Sequence, residues 1–268
     1  MNAVGLLAAI EQYYPYFIAA SLASARMLAM MNVMPAFTRL GLSGLLQTVL
    51  AIVFALPLLP YMVDVVTAGP ITVGHYIALM AKEAALGLLI GIVLGIPIWA
   101  AEAAGDIIDL QRGSTLAGLI DPSFITESSV TGTLFAVALV ALFYATGGLS
   151  IVLRAVYDSY SVWPVASLTP QFSKDAGHIV LSLMDDIMGM GLMLAIPIVL
   201  ALFLSDFCLA LIARAAPHMH VFDLSLSIKS LVFCLLLVLY SAFLFNYMES
   251  DLRWLLDVKG RLEMLKGG

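Results

Sequence analysis

The feature that most limits what this chain can become is a set of long stretches with no charge at all. Twenty-four uncharged residues separate Arg39 from Asp64, and 26 separate Glu127 from Arg154. Nineteen lie between Asp186 and Asp206, and 19 more between Lys229 and Glu249. Between Glu83 and Glu102 there are 18, a bare span that Lys82 lengthens by snorkelling its ammonium to the interface. A hydrocarbon core of ~30 Å takes about 20 helical residues to cross, so each run reads as a membrane helix. The first apolar segment, residues 14–36, is different because it carries Arg26 and Asn32. A central Arg costs at least ~2.5 kcal/mol on insertion, so Arg26 must face a polar cavity or a partner carboxylate.

Composition agrees. Of 268 residues, 62% are hydrophobic before glycine is counted and 11% are charged, less than half the ~25% of a soluble domain. That leaves too few polar side chains to cover a water-facing surface. The high apolar content excludes disorder. A net charge of −6 without a basic cluster excludes an electrostatic nucleic-acid footprint. The runs are continuous, which argues against a membrane barrel of ~10-residue alternating strands. No Lys or Arg precedes Arg26, so a cleavable signal peptide is not expected.

The expected fold is therefore all-α: one polytopic domain over residues 1–268, with six kinked apolar helices near 14–36, 40–60, 77–101, 128–153, 187–213 and 229–248. Kinks are expected at Pro57, Pro60, Pro97 and Pro197, where the ring removes a backbone donor. Gly87, Gly91 and Gly95 form a small-xxx-small stripe that lets another helix approach closely. The tail, residues 249–268, holds Arg253, Lys259, Arg261 and Lys266, which favours a cytoplasmic C-terminus. Cys208 and Cys234 sit in or beside apolar runs and read as small buried hydrophobes, with no disulfide expected.

The strongest chemical anomaly is residues 100–122, AAEAAGDIIDLQRGSTLAGLIDP. Glu102, Asp106 and Asp109 recur at i, i+4 and i+7 and share one helical face, with Arg112 three residues on. Beyond Gly113 the segment turns small and polar and ends at Asp121-Pro122. Two readings stand: a helix end whose acids face water, or a polar element reaching into an assembly or pore. Gly41-Leu42-Ser43-Gly44 matches the GxSG of intramembrane serine proteases, but His75, His178, His218 and His220 all lie outside the charge-free runs. No catalytic residue is expected. His218 and His220 at i, i+2 share no helical face, so neither a metal nor a cofactor is expected. No phosphate-binding loop occurs. A secondary transporter or ion channel, using Arg26, Glu83 and Glu102, is the rival reading.

The run from Gly87 to Pro122, with G-x3-G-x3-G followed by A-E-x2-G-D-x2-D-x-Q-x-G-S, resembles the T component of type III secretion export apparatuses, whose flagellar counterpart is FliR. Gly147-Gly148, Ser159, Trp163-Pro164, Ala215-Ala216-Pro217, Phe222 and Lys229 extend the match. The resemblance implies a non-enzymatic subunit of an inner-membrane export gate built with R (FliP-like) and S (FliQ-like) subunits and contacting the U (FlhB-like) subunit. Such a gate conducts unfolded proteins, driven by a separate ATPase and the proton-motive force, and its helices are lifted partly out of the bilayer. By the same resemblance residues 106–121 match a plug loop, making Asp106, Asp109, Gln111, Arg112, Gly113, Ser114 and Asp121 the expected gating residues. Arg26, Glu102 and Lys229 are the expected polar contacts to sister subunits. The stretch GGLSIVLRAVYDSYSVWPV is closer to injectisome than to flagellar members.

Overall fold

The computed structural model describes residues 3–42, 44–69, 72–114, 129–168, 173–174, 176–216, 221–253, 255 and 258–266. Among these the secondary structure is entirely helical. In chain order the helices are α1 (Ala3–Val33), α2 (Pro35–Thr38), α3 (Gly44–Ala55), a 3-10 turn (Leu56–Leu58), α4 (Leu59–Thr67) and α5 (Val73–Arg112). They continue with α6 (Val130–Ala145), α7 (Gly148–Val162), α8 (Ala176–Ala215), α9 (Val221–Arg253) and α10 (Val258–Lys266). Five segments are long and apolar enough to cross a membrane, or six if α6 and α7 count as one broken span.

Pro57 and Pro60 fall at a break in the helices, whereas Pro97 and Pro197 lie within longer ones. Pro57 and Pro60 interrupt the second apolar run, turning it into α3, the 3-10 turn and α4. The carbonyl of Phe54, at that break, accepts a hydrogen bond from Tyr157 Oη at 2.7 Å. Pro97 and Pro197 instead lie inside unbroken helical assignments. The fourth run does not form one helix over 128–153. Gly147 adopts φ +80°, the left-handed region open to glycine, and separates α6 from α7.

Both α5 and α8 contain 40 residues, which at 1.5 Å per residue is ~60 Å, about twice the hydrocarbon thickness. The expected spans at 77–101 and 187–213 lie inside these longer helices.

The chain divides into two compact units. Unit 1 comprises Met1–Gly95, Gly147–Leu181 and Leu255–Gly268. Here α1 packs on α3 and α4, and α10 packs on α7. Its core gathers Leu22, Met27, Met30, Leu86, Ile90, Val156 and Trp163, all essentially inaccessible. Gly87 and Gly91 are the contact points between α5 and α1. A Cβ on Gly87 would collide with the Arg26 carbonyl and the Ala29 side chain, and one on Gly91 would come within 2.8 Å of Met30 O. The helices meet backbone to backbone, as the stripe predicts for these two glycines.

Unit 2 comprises Ile96–Thr146 and Ser182–Trp254. Its α6 and α9 are in contact, and its α5 segment meets α6 at Gly105, where a Cβ would collide with the Gly132 backbone. Gly191 of α8 similarly approaches Ala100 O of α5. Much of α8 and α9 remains uncovered by the chain itself: Met193, Leu200, Phe203, Leu231, Val238 and Phe243 are each more than 60% exposed.

Candidate functional site

Two polar clusters interrupt the apolar helices, one in each unit. The first is centred on Arg26, in the middle of α1 and fully buried. Its Nε donates to Glu83 Oε2 at 2.8 Å, Nη1 to Ser159 Oγ at 2.7 Å and Nη2 to the Trp163 carbonyl at 3.1 Å. The guanidinium carbon lies 3.7 Å from the centroid of the Tyr160 ring, a cation–π contact. Buried guanidinium is tolerable only when its donors are used, and here the fork is divided among a carboxylate, a hydroxyl and a carbonyl.

Lys82, the neighbour of Glu83 on α5, completes this cluster. Its ammonium donates to the carbonyls of Pro164, Val165 and Ser167 at 3.0, 2.9 and 2.9 Å, holding the chain that follows α7. It also lies 2.9 Å from Glu83 Oε1. That oxygen has no directed hydrogen bond, so the contact is electrostatic in character. Lys82 therefore does not snorkel; it is buried and lends its charge to the interior.

Arg26, expected to meet sister subunits, has an ion-pair partner in its own chain: Glu83, at zero exposure for both side chains. The physical reason is that α1 and α5 approach closely at Gly87, whose position faces the Arg26 carbonyl, so Glu83 one turn earlier meets the Arg26 side chain.

The second cluster lies at the C-terminal end of α5. Asp109 is buried and accepts from Ser129 Oγ at 2.7 Å, Thr131 N at 3.0 Å and Thr131 Oγ1 at 2.6 Å. Ser129 is the N-cap of α6, its Oγ also accepting from Gly132 N at 2.8 Å. The carboxylate thus sits at the positive end of α6, where a negative charge is favoured. Arg112 pairs with Asp109 at 2.8 Å and lies 4.7 Å from the Phe233 ring centroid. Gly113, at φ +80°, ends α5 in a Schellman motif: Ser114 N donates to Asp109 O and Gly113 N to Leu110 O. Nearby, Lys229 of α9 donates to Gln111 O at 3.0 Å and pairs with Asp206 of α8 at 3.1 Å, while Gln111 Nε2 donates to Asp206 at 3.3 Å.

Residues 106–112 are consequently helical, so the expected loop over 106–121 begins only at Gly113. Asp121 lies outside the described residues, as do Thr115 and Gly118. Asp106 and Glu102 share the α5 face with Asp109 but differ in exposure: Asp106 is exposed and Glu102 half-buried. Lys229, assigned to sister subunits, likewise has partners within its own chain. Ser159, Thr131, Ser129 and Asp206 carry contacts that the sequence reading assigned no role. Asp206 was legible as an acid ending one charge-free run, 23 residues before Lys229 that opens the next. Ser43, His218 and His220 are outside the described residues. Among the described residues no group of His, Cys, Asp or Glu is arranged to hold a metal ion, and Cys208 and Cys234 are exposed free thiols rather than buried ones.

Long apolar helices with charges neutralised internally define a helical multi-pass membrane protein. Within that class the chain belongs to the bacterial export proteins, family 1, whose pattern it matches over residues 17–254. It is 39% identical over 179 residues to Yop proteins translocation protein T of Yersinia pestis, covering 67% of this chain and 69% of that protein. It is 32% identical over 222 residues to Surface presentation of antigens protein SpaR of Salmonella typhimurium, 82% of each chain. Flagellar biosynthetic protein FliR of Bacillus subtilis is 27% identical over 194 residues, 72% of this chain and 75% of that one.

Proposed function

We propose that this chain is a non-enzymatic subunit of a type III secretion export gate in the bacterial inner membrane, acting as one export-gate domain with its C-terminus in the cytoplasm. It assembles with R (FliP-like) and S (FliQ-like) subunits, contacts the U (FlhB-like) subunit, and the gate passes unfolded proteins. The observation that carries this reading is the family match across residues 17–254, shared with relatives named for translocation, antigen presentation and flagellar biosynthesis.

The geometry supports it in two ways. Helices of 40 residues overrun a bilayer and need protein or water around their ends. The uncovered apolar flanks of α8 and α9 supply surface for sister helices as well as lipid. The transporter alternative gains less from this cluster, because Arg26 and Glu83 are held against each other with no surface exposed to a passing ion. Extracting the complex in mild detergent and weighing it tests the proposal. A stable hetero-oligomer with two other small hydrophobic subunits is expected; a self-sufficient monomer would contradict it.

Within the gate, the connection that starts at Gly113 helps close the pore, with Asp109 and Arg112 anchoring its start. Deleting residues 113–118 is expected to make membranes leak small ions, and unchanged permeability would refute this role.

A further inference from the structure

Unit 1 carries a laterally open cleft of about 450 Å³, lined by Tyr16 of α1, Leu56 of the 3-10 turn, and Leu59, Pro60, Val63 and Asp64 of α4. Its size falls among small-molecule sites, ~300–1,000 Å³. The lining is apolar except for the Tyr16 hydroxyl and the Asp64 carboxylate, and Asp64 is the one formal charge in it. The cleft lies where Pro57 and Pro60 interrupt the helical ladder, so its wall is irregular backbone rather than a smooth helix face.

The cleft lies near the ends of the two apolar segments that form it. Asp64 is three residues from the end of the span Gly44–Thr67, and Tyr16 is four residues into the span Gln12–Val33. Tyr13, Tyr14, Tyr16 and Phe17 are all at least half exposed, the aromatic girdle expected at a membrane–water boundary. An apolar slot at that boundary, with an acid at its rim, suits an amphiphile whose head carries a positive charge. An anionic head would meet the Asp64 carboxylate unfavourably.

We propose that this cleft holds an acyl chain of a phosphatidylethanolamine-class lipid, with the lipid's primary ammonium beside Asp64. The inference rests on the apolar segments Gln12–Val33 and Gly44–Thr67 lying in lipid, and it needs no sister subunit. A partly exposed ion pair supports roughly a two- to fivefold headgroup preference.

The test is lipid analysis of the detergent-extracted complex after reconstitution in equal amounts of phosphatidylethanolamine and phosphatidylglycerol. Wild type is expected to retain the ethanolamine lipid in excess, and Asp64→Lys to reverse the preference. Leu59→Trp, which fills the cleft, is expected to lower retained lipid relative to Leu45→Trp, placed on the exposed face of α3 outside the cleft lining. Val63→Trp serves if Leu59→Trp does not assemble, and Asp64→Lys leaves the apolar lining intact in either case. Equal retention of the two headgroups by wild type would overturn the proposal. So would a cleft-filling variant that retains as much lipid as Leu45→Trp, or capture of a sister subunit by a cross-linker at Leu59→Cys.

Discussion

The Arg26 cluster of unit 1 and the Lys229 cluster of unit 2 each set a base against an acid in apolar helices, but only the first is sealed. Arg26 and Glu83 are both fully buried, whereas Lys229 and Asp206 keep 12% and 34% of their side-chain surfaces exposed. The first cluster spreads two cations over one carboxylate, a hydroxyl and four backbone carbonyls. Lys229 meets a single acid and one carbonyl, with an amide on the same acid, and stays partly exposed. A sealed pair cannot be solvated if one partner is lost, so its members are hostage to each other. An open pair can be rescued by water, a lipid headgroup or a neighbouring subunit. In this molecule, therefore, charge in an apolar helix marks a structural lock in one place and an adaptable contact in another.

Mutation separates the two. The largest effect is expected from Glu83→Leu, which leaves Arg26 and Lys82 facing each other without their shared counter-charge. Stripping one partner from a buried pair costs about 3–5 kcal/mol, so thermal unfolding in detergent should fall steeply and yield should drop. Arg26→Leu should cost less than Glu83→Leu, because Glu83 keeps Lys82 at 2.9 Å and the loss is of the hydrogen bonds to Glu83, Ser159 and the Trp163 carbonyl. Next comes Asp109→Ala in unit 2, which removes three hydrogen bonds to Ser129 and Thr131 and the charge at the start of α6. Losing charged hydrogen bonds and a negative charge at a helix N-terminus costs about 2 kcal/mol, measurable as a lower melting temperature. Smallest is Lys229→Met, where a partly exposed pair is worth at most about 1 kcal/mol. A large loss of stability for Lys229→Met, or a small one for Glu83→Leu, would erase the distinction between the two clusters.

How much of this could be read from residues alone differs by feature. The helical class follows directly from runs of 18 to 26 uncharged residues, because hydrocarbon admits nothing else at that length. Contacts at Gly87 and Gly91 were legible for the same local reason: only a residue without a side chain allows a backbone to come so near. The partner of Arg26 was not legible. Glu83 is 57 residues away, and no periodicity connects two helices that meet only through packing. Lys82 misled in the opposite direction, since a base at the edge of an apolar run ordinarily snorkels, yet three carbonyls after α7 hold it inside. The residues themselves read as helical through Arg112, with the change of character after Gly113, and the structure ends α5 there; it is the resemblance that started the loop at Asp106. Gly147 was noticed only as half of a glycine pair, while its left-handed conformation is what divides one expected helix into two.

The claim on which the account turns is that Arg26 is satisfied inside its own chain. A double-mutant cycle of Arg26→Leu and Glu83→Leu, read by thermal unfolding of the detergent-extracted complex, tests it most directly. The double variant should be much less damaged than the sum of the singles, with a coupling of about 2–3 kcal/mol as expected for contacting charges. Additive losses, with Arg26→Leu alone detaching the sister subunits, would show that the guanidinium answers to another chain.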